Sequence, residues 1–253
     1  MNKKKLAIIG SGISGISSAY FLSEYFDITI LEKEDYFGGH TRTIKVNDID
    51  KDIYIDTGFI VFNDKYYPNL NNFFKELELE SEETNMSLSI FSEEYNFEYS
   101  SLNYFSQINN LFNVQFLKIL KDIFIFYKFS SKYLNDKNFY NLSIEQFFKN
   151  KKYSYGFINY HIYPIAASIW STSINEIKKF PIKVFIEFFI YNELFNLIKR
   201  PKWKTLKKRG KSYVERVLFK KNIRAIKNLN IKMIKRTSDC VEIISDNYKE
   251  FDF

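Results

Sequence analysis

"AIIGSGISGISSAYFL", residues 7–22, decides how the chain begins to fold. A short apolar run without alternation reads as a buried parallel strand. Gly10, Gly12 and Gly15 follow, and Ile13, Ile16, Ala19, Tyr20 and Phe21 then mark one apolar face of a helix. "DITILE", residues 27–32, supplies a second strand. Strand, glycine turn, helix, strand is the opening unit of a dinucleotide-binding fold. In such a unit Gly10 permits the tight turn, Gly12 lets the backbone approach a pyrophosphate, and Gly15 lets helix and strand pack closely. The pyrophosphate is expected on free N–H groups at the helix N-terminus, where the dipole favours an anion. Glu32 ends the second strand, placed to accept hydrogen bonds from ribose hydroxyls and to disfavour a 2′-phosphate. A mere tight turn is the competing reading, and the strand–turn–helix context argues against it.

Glycine is scarce, eight in all, and six of the eight fall in the first 58 residues, which marks backbone positions where no side chain fits. NAD and FAD both carry ADP, so the turn alone does not separate them. The next segment does. "EKEDYFGGHTRT", residues 32–43, sets Gly38 and Gly39 just beyond the second strand, followed by His40, Thr41 and Arg42. A second glycine pair suggests another close backbone approach to the cofactor.

Here the sequence resembles the FAD-dependent amine oxidase and phytoene desaturase superfamily, whose pattern is Glu, a short spacer, then Gly-Gly-Arg-Thr. His40 stands where most members carry arginine. "GGHTRT", "DTGFIVFNDKYYPNL", "YPIAASIWST", "RPKWKT" and "SYVERV" extend the resemblance, over nearly the whole chain, to a bacterial group called predicted NAD/FAD-binding oxidoreductases. The resemblance implies FAD as cofactor and redox centre, and hydride removal from a C–N or C–C bond. It implies cofactor contacts from Gly10, Ser11, Gly12, Ile13, Ser14, Gly15, Glu32, Lys33, Gly38, Gly39, His40, Thr41, Gly58 and Phe59. By the same analogy "DTGF", with Asp56, Gly58 and Phe59, lies near the riboflavin end. Without the resemblance, Asp56 and Gly58 read equally well as a strand-terminating turn.

A chain of 253 residues can bury one large domain or two smaller ones, and a composition 45% hydrophobic and 19% aromatic argues against disorder. The formal charge of +7 is too modest to indicate nucleic acid, and none is expected as a partner. Cys240 is the one cysteine, which excludes an intramolecular disulfide and fits a reducing compartment. The opening "MNKKKLAIIGSG" is broken by glycine too early for a secretory signal. The most apolar later runs, residues 116–129 and 184–198, carry charges every few residues, so a cytoplasmic protein is expected. His40 and His161 are the only histidines, and no metal site is expected.

From about residue 67 the pattern changes. "YPNLNNFFKELELE", residues 67–80, reads as an amphipathic helix and "SLSIFSEEYNFEY", residues 87–99, as a hairpin. Helical stretches follow over 104–134 and 143–150, the latter with Ser143 and Gln146 as a capping box. The expected class is α/β: a Rossmann-like FAD/NAD(P)-binding domain, with a parallel sheet and a β-meander, formed by residues 1–66 and 206–253. An inserted, mainly helical substrate domain would occupy 67–205. Its Phe and Tyr residues read first as core packing and second as an apolar tunnel for a hydrophobic, lipid-like substrate. His161 and Trp170 are the pocket candidates, although a histidine between Ile and Tyr is more often a satisfied core residue. No catalytic residue is identified.

"KRPKWKTLKKRGK", residues 199–211, reads as a solvated loop, or as a contact for an anionic membrane surface, a phosphate-bearing substrate or nucleic acid. Relatives carry Gly-Gly-Ser near here, and Lys208 and Arg209 in their place weigh against flavin contact by this loop. "SYVERVLFKK" reads as a helix, and "NIKMIKR", "CVEIIS" and "YKEFDF" as three strands with Asp246-Asn247 as a turn. In the superfamily another strand and a closing flavin-binding segment come next. The chain is therefore expected to be a fragment or split gene product, partnered by a C-terminal part or a complementing chain besides its small-molecule substrate. Two alternatives stay open: an NAD-dependent dehydrogenase, against which Gly38-Gly39 argues, and a non-catalytic nucleotide- or partner-binding protein, which the Lys208–Gly210 loop favours.

Overall fold

The computed structural model of the chain describes residues 3–48, 51–101, 103–105, 107–196, 201–246 and 250–252. Asn247, half of the expected turn, lies outside the described residues, as do Lys199 and Arg200 of the basic run. The chain divides into two compact units, Met1–Asn85 with Lys202–Phe253, and Met86–Pro201.

The first unit opens with β1 (Lys4–Ile9), α1 (Ile13–Leu22) and β2 (Phe26–Leu31). The hairpin β3 (Thr43–Asn47) and β4 (Asp52–Asp56) follows, then α2 (Pro68–Glu76) and β5 (Ser81–Thr84). The second unit contains β6 (Ser89–Ser92), β7 (Phe97–Ser100), α3 (Val114–Leu134), α4 (Ile144–Lys149) and the single turn α5 (Tyr155–Phe157). Next in it come α6 (Tyr163–Trp170), α7 (Ile174–Lys179) and α8 (Ile182–Tyr191). The chain returns to the first unit with β8 (Trp203–Leu206), α9 (Lys211–Leu218), β9 (Ile223–Ile226), β10 (Ile231–Arg236), β11 (Val241–Ser245) and β12 (Glu250–Asp252).

In the first unit β1 and β2 pair in parallel from Lys4 opposite Phe26 to Ile9 opposite Leu31. The parallel strand β9 joins the far side of β2, giving the order β1-β2-β9. Ile28, Ile30 and Leu31 of β2 are buried, as are Ile16 and Ala19 of α1. That is the pattern of a central strand covered by a helix, and burying each of the Ile and Leu side chains contributes about 1.5–3 kcal/mol. β10, β11 and β12 form the expected antiparallel meander.

The boundary of the inserted unit differs from the expected one. α2 and β5 belong to the first unit, so the insertion begins at Met86 rather than residue 67, and it ends at Pro201 rather than 205. The cause is packing: Phe73 lies 5.4 Å from Tyr20 of α1, and Phe74 lies 5.6 Å from Tyr213 of α9. β5 also pairs with β8, Ser81 opposite Leu206. Part of the basic run is thus a strand, not a solvated loop. Three of its lysines have acidic partners: Lys202 with Glu83, Lys204 with Asp64 and Lys207 with Glu80. Such exposed pairs are worth roughly 0–1 kcal/mol each.

In the second unit the expected hairpin is present as β6 and β7, Ser89 opposite Ser100. The capping box at α4 is also formed, with Ser143 accepting from the Gln146 N–H and the Gln146 side chain accepting from the Ser143 N–H. The helix expected from Tyr104 instead starts at Val114, because the Asn113 side chain caps it by accepting from the Gln115 and Phe116 N–H groups. The aromatics do pack as a core: Phe126 alone contacts the rings of Phe147, Phe148, Tyr153, Phe157 and Phe195.

Candidate dinucleotide site

The glycine turn fills the crevice at the C-terminal end of β1, and each of its glycines has a different physical reason. Gly10 adopts φ +88°, a left-handed conformation that L side chains resist, and its N–H donates to the Leu31 carbonyl at 2.8 Å. A Cβ on Gly15 would stand 2.0 Å from the Gly10 carbonyl oxygen, so the close approach of helix to turn excludes any side chain. Gly12 has neither constraint. Its φ of −63° suits any residue, and nothing lies within 4 Å of where its Cβ would be.

α1 starts directly after Gly12 and has no side-chain cap. The first intrahelical bond from the turn is the Ile16 N–H to the Gly12 carbonyl, at 2.9 Å. The N–H groups of Gly12, Ile13, Ser14 and Gly15 find no acceptor among the described residues. A bare helix start beside exposed backbone is an anion-binding arrangement.

Ser11 is fully buried and ties the turn to both later segments. Its N–H donates to Glu32 Oε2 at 2.8 Å, its hydroxyl donates to the same oxygen, and that hydroxyl accepts from the Gly38 N–H at 3.1 Å. Glu32 Oε1 accepts from the Glu34 N–H at 3.0 Å. Burial of the Glu32 carboxyl pushes its pKa up, but the hydrogen bonds from Glu34, Ser11 and Lys33 outweigh that and hold it below the usual range. Glu32 is therefore an ionised acceptor already serving the turn, with lone-pair capacity left on Oε1 for one further donor such as a ribose hydroxyl.

The second glycine pair folds against the first. Gly39, at φ +59°, would place a Cβ 3.0 Å from the Gly12 Cα, and Gly38, at φ +118°, one 2.5 Å from the Thr41 carbonyl oxygen. The segment after β4 passes alongside: Phe59 N–H donates to the His40 carbonyl at 3.1 Å, and a Cβ on Gly58 would sit 2.1 Å from that same oxygen. Gly10–Gly15, Glu32, Gly38–His40 and Gly58–Phe59 thus form one connected group. His40 and Lys33 are exposed.

Two residues in this region are turned to structural work. The Thr41 hydroxyl is buried 2.7 Å from the Tyr213 hydroxyl, so its side chain faces the core. Both carboxylate oxygens of Asp56 accept from the Gly210 N–H at 3.0 Å, and Oδ1 also accepts from the Thr43 hydroxyl. Asp56 therefore anchors the start of α9, and sequence reasoning missed this link because its partner lies 154 residues away.

His161 and Trp170, the pocket candidates, are packed within the second unit. His161 is 2% exposed, in a π-helical turn over Ile158–Ile162. The Tyr99 hydroxyl is 2.7 Å from its Nδ1 and the Tyr127 hydroxyl 2.8 Å from its Nε2. The imidazole tautomer sets which partner donates in each of these two bonds, and the Tyr99 hydroxyl is also 3.3 Å from the Tyr160 carbonyl. Trp170 packs on Phe180 at 4.7 Å and Phe188 at 5.0 Å. His161 sits as a satisfied core residue, and Trp170 is half-buried against the same core. Among the described residues no three His, Cys, Asp or Glu side chains cluster to hold a metal ion.

Comparison with known proteins agrees with this geometry. A family described as an NAD(P)-binding Rossmann-like domain matches residues 8–77. Flavin-containing amine oxidase A of Sus scrofa is 41% identical over 54 residues, 21% of this chain and 10% of that protein. Putrescine oxidase with bound putrescine superposes at a TM-score of 0.66 and 14% identity, covering 100% of this chain and 56% of that one. The chain therefore has the fold of this oxidase. A fatty acid isomerase from P. acnes that produces CLA shares it, at a TM-score of 0.60 and 15% identity, over 99% of this chain and 57% of that one. The chain spans just over half the length of these solved structures.

Proposed function

We propose that this chain binds FAD through its ADP half and serves a flavin-dependent oxidoreductase. One observation carries the reading: the uncapped start of α1 meets Gly12, a glycine that neither its own backbone nor any neighbour demands. A cradle that a Cβ would fill is what close backbone approach to a pyrophosphate requires. The residues fit the group. The N–H groups of Gly12, Ile13, Ser14 and Gly15 would hold the pyrophosphate, Glu32 would accept from the ribose, and Ser11 keeps Glu32 ionised and aimed. Lys33, Gly38, Gly39, His40, Gly58 and Phe59 would line the adjoining path. Thr41 would contribute its backbone rather than its hydroxyl.

FAD, when bound, supplies the hydride acceptor for oxidation of a C–N or C–C bond. The protein's share is binding, orientation and exclusion of water. The substrate class we favour is a small molecule with a largely apolar body. Amines are supported by the flavin-containing amine oxidase and putrescine oxidase, and an acyl chain by the fatty acid isomerase. A cytoplasmic setting is supported by the lone Cys240, and among the described residues no helix is long and apolar enough to cross a membrane. A complementing segment or chain is supported by the outer side of β1, which pairs with no strand among the described residues and leaves Ile9 52% exposed.

The test is competition: FAD is titrated into the purified chain, followed by intrinsic fluorescence, and then challenged with ADP, while NAD⁺ is titrated separately. FAD binding that ADP displaces supports the reading. NAD⁺ binding tighter than FAD overturns it.

A further inference from the structure

Away from the glycine turns the first unit has a second concave site, a basin of about 470 Å³ lined by Lys51, Asp52, Ile53, Tyr54, Lys207, Lys208, Arg209 and Lys211. Its size is within the roughly 300–1,000 Å³ typical of small-molecule sites. None of the lining residues belongs to the candidate dinucleotide cradle.

The charge of this basin is only partly balanced. Lys207 is paired with Glu80, and Asp52, the one acid in the lining, is paired with Lys45. Lys51 and Lys208 form no ion pair among the described residues. Arg209 and Lys211 are fixed mainly by neutral groups. The Arg209 Nε donates to the Tyr54 carbonyl at 3.0 Å, and the Lys211 ammonium stands 3.9 Å from the Tyr54 ring centroid, with Glu215 only at 4.0 Å. Tyr54 thus holds two cations in place without neutralising either. Arg209 does so at φ +66°, a left-handed conformation that a long side chain tolerates only under constraint from its surroundings. Glu80 also feels the charge of Lys208, yet more cations than carboxylates gather in this one concavity, an arrangement suited to an anion with several acceptor oxygens.

We propose that this basin binds a phosphorylated anion, with Lys51, Lys208 and Arg209 carrying the recognition. The source of the phosphate is a soluble metabolite or a lipid headgroup, which share this chemistry. Inorganic pyrophosphate is the first probe, titrated calorimetrically into the full chain at low ionic strength. Pyrophosphate also fits the glycine turn, so the titration is repeated on Gly12→Glu, which closes that turn. Gly12→Glu is expected to keep one pyrophosphate site, and Lys51→Glu/Lys208→Glu added in that background to weaken it at least tenfold. Lys118→Glu/Lys121→Glu changes net charge equally on exposed residues of the second unit and is expected to bind as wild type. Circular dichroism checks that each variant is folded.

Vesicles of phosphatidylcholine with and without phosphatidic acid form the second arm. Sedimentation with phosphatidic acid alone, lost in Lys51→Glu/Lys208→Glu, assigns the phosphate to a lipid. Pyrophosphate binding without vesicle binding assigns it to a soluble ligand. Absence of both, or equal weakening by the two double variants, overturns the proposal. Because Gly12→Glu removes the cofactor cradle and not the basin, failure of FAD binding leaves this outcome unaffected.

Discussion

Replacing Gly12 by alanine should separate folding from cofactor binding. The backbone there, φ −63° and ψ 178°, is open to any residue, and the added methyl meets nothing within 4 Å. Restricting the unfolded chain at such a position stabilises the fold by about 0.4–1 kcal/mol. The same methyl projects into the cradle in front of four free N–H groups. Overpacking a close contact costs about 1–3 kcal/mol, and that is roughly a five- to 150-fold loss of FAD affinity. Gly15→Ala is the contrast: its methyl would lie 2.0 Å from the Gly10 carbonyl oxygen and 3.1 Å from the carbonyl carbon, both backbone atoms that cannot yield cheaply. Gly15→Ala should lose stability by at least that amount. Urea unfolding followed by circular dichroism reads the first quantity, and quenching of flavin fluorescence reads the second. A Gly12→Ala protein that unfolds earlier than wild type, or one that binds FAD unchanged, refutes the reasoning.

Three further outcomes are expected. Glu32 has a folded pKa below its unfolded value, so its stabilisation is complete above roughly pH 4.3 and is lost as pH falls through the lower folded value. Glu32→Gln should flatten that part of the acid-unfolding curve and lower stability at pH 7 by about 1.5–3 kcal/mol, measured by urea titration at each pH. Asp56→Ala removes the acceptor for the Gly210 N–H and the Thr43 hydroxyl, and should cost about 0.5–2 kcal/mol while raising hydrogen exchange at the start of α9. Tyr127→Phe removes the hydroxyl that stands 2.8 Å from His161 Nε2 inside the second unit. It should cost about 1–3 kcal/mol in thermal or urea unfolding and leave FAD affinity unchanged, whereas a binding defect would give His161 a part in the site.

The dinucleotide turn was legible because its signals are local: strand, glycines, helix and strand follow one another within 32 residues. The capping box at Ser143 and Gln146 was legible for the same reason, since its two partners are three residues apart. What the sequence hid depends on distant partners. The amphipathic pattern of α2 announces a buried face but not what covers it, and only the packing of Phe73 and Phe74 on α1 and α9 assigns the helix to the first unit. β9 is four residues long and carries Arg224, so its place as the third parallel strand rests on pairing with β2 rather than on its own hydropathy. Asn113 did carry a readable cue, as a good N-cap residue before an apolar helix, and weighing it would have moved the start of α3 from Tyr104 to Val114. Thr41 shows the opposite failure. Its neighbours in sequence line the cradle, yet its hydroxyl is committed to Tyr213, 172 residues away.

The most direct test of the account is a visible absorption spectrum of the purified chain supplied with FAD and freed of excess, taken before and after unfolding. Flavin bands that travel with the folded protein and shift to those of free FAD on denaturation are expected. A folded, colourless protein that retains no flavin would contradict the assignment of this glycine turn to FAD.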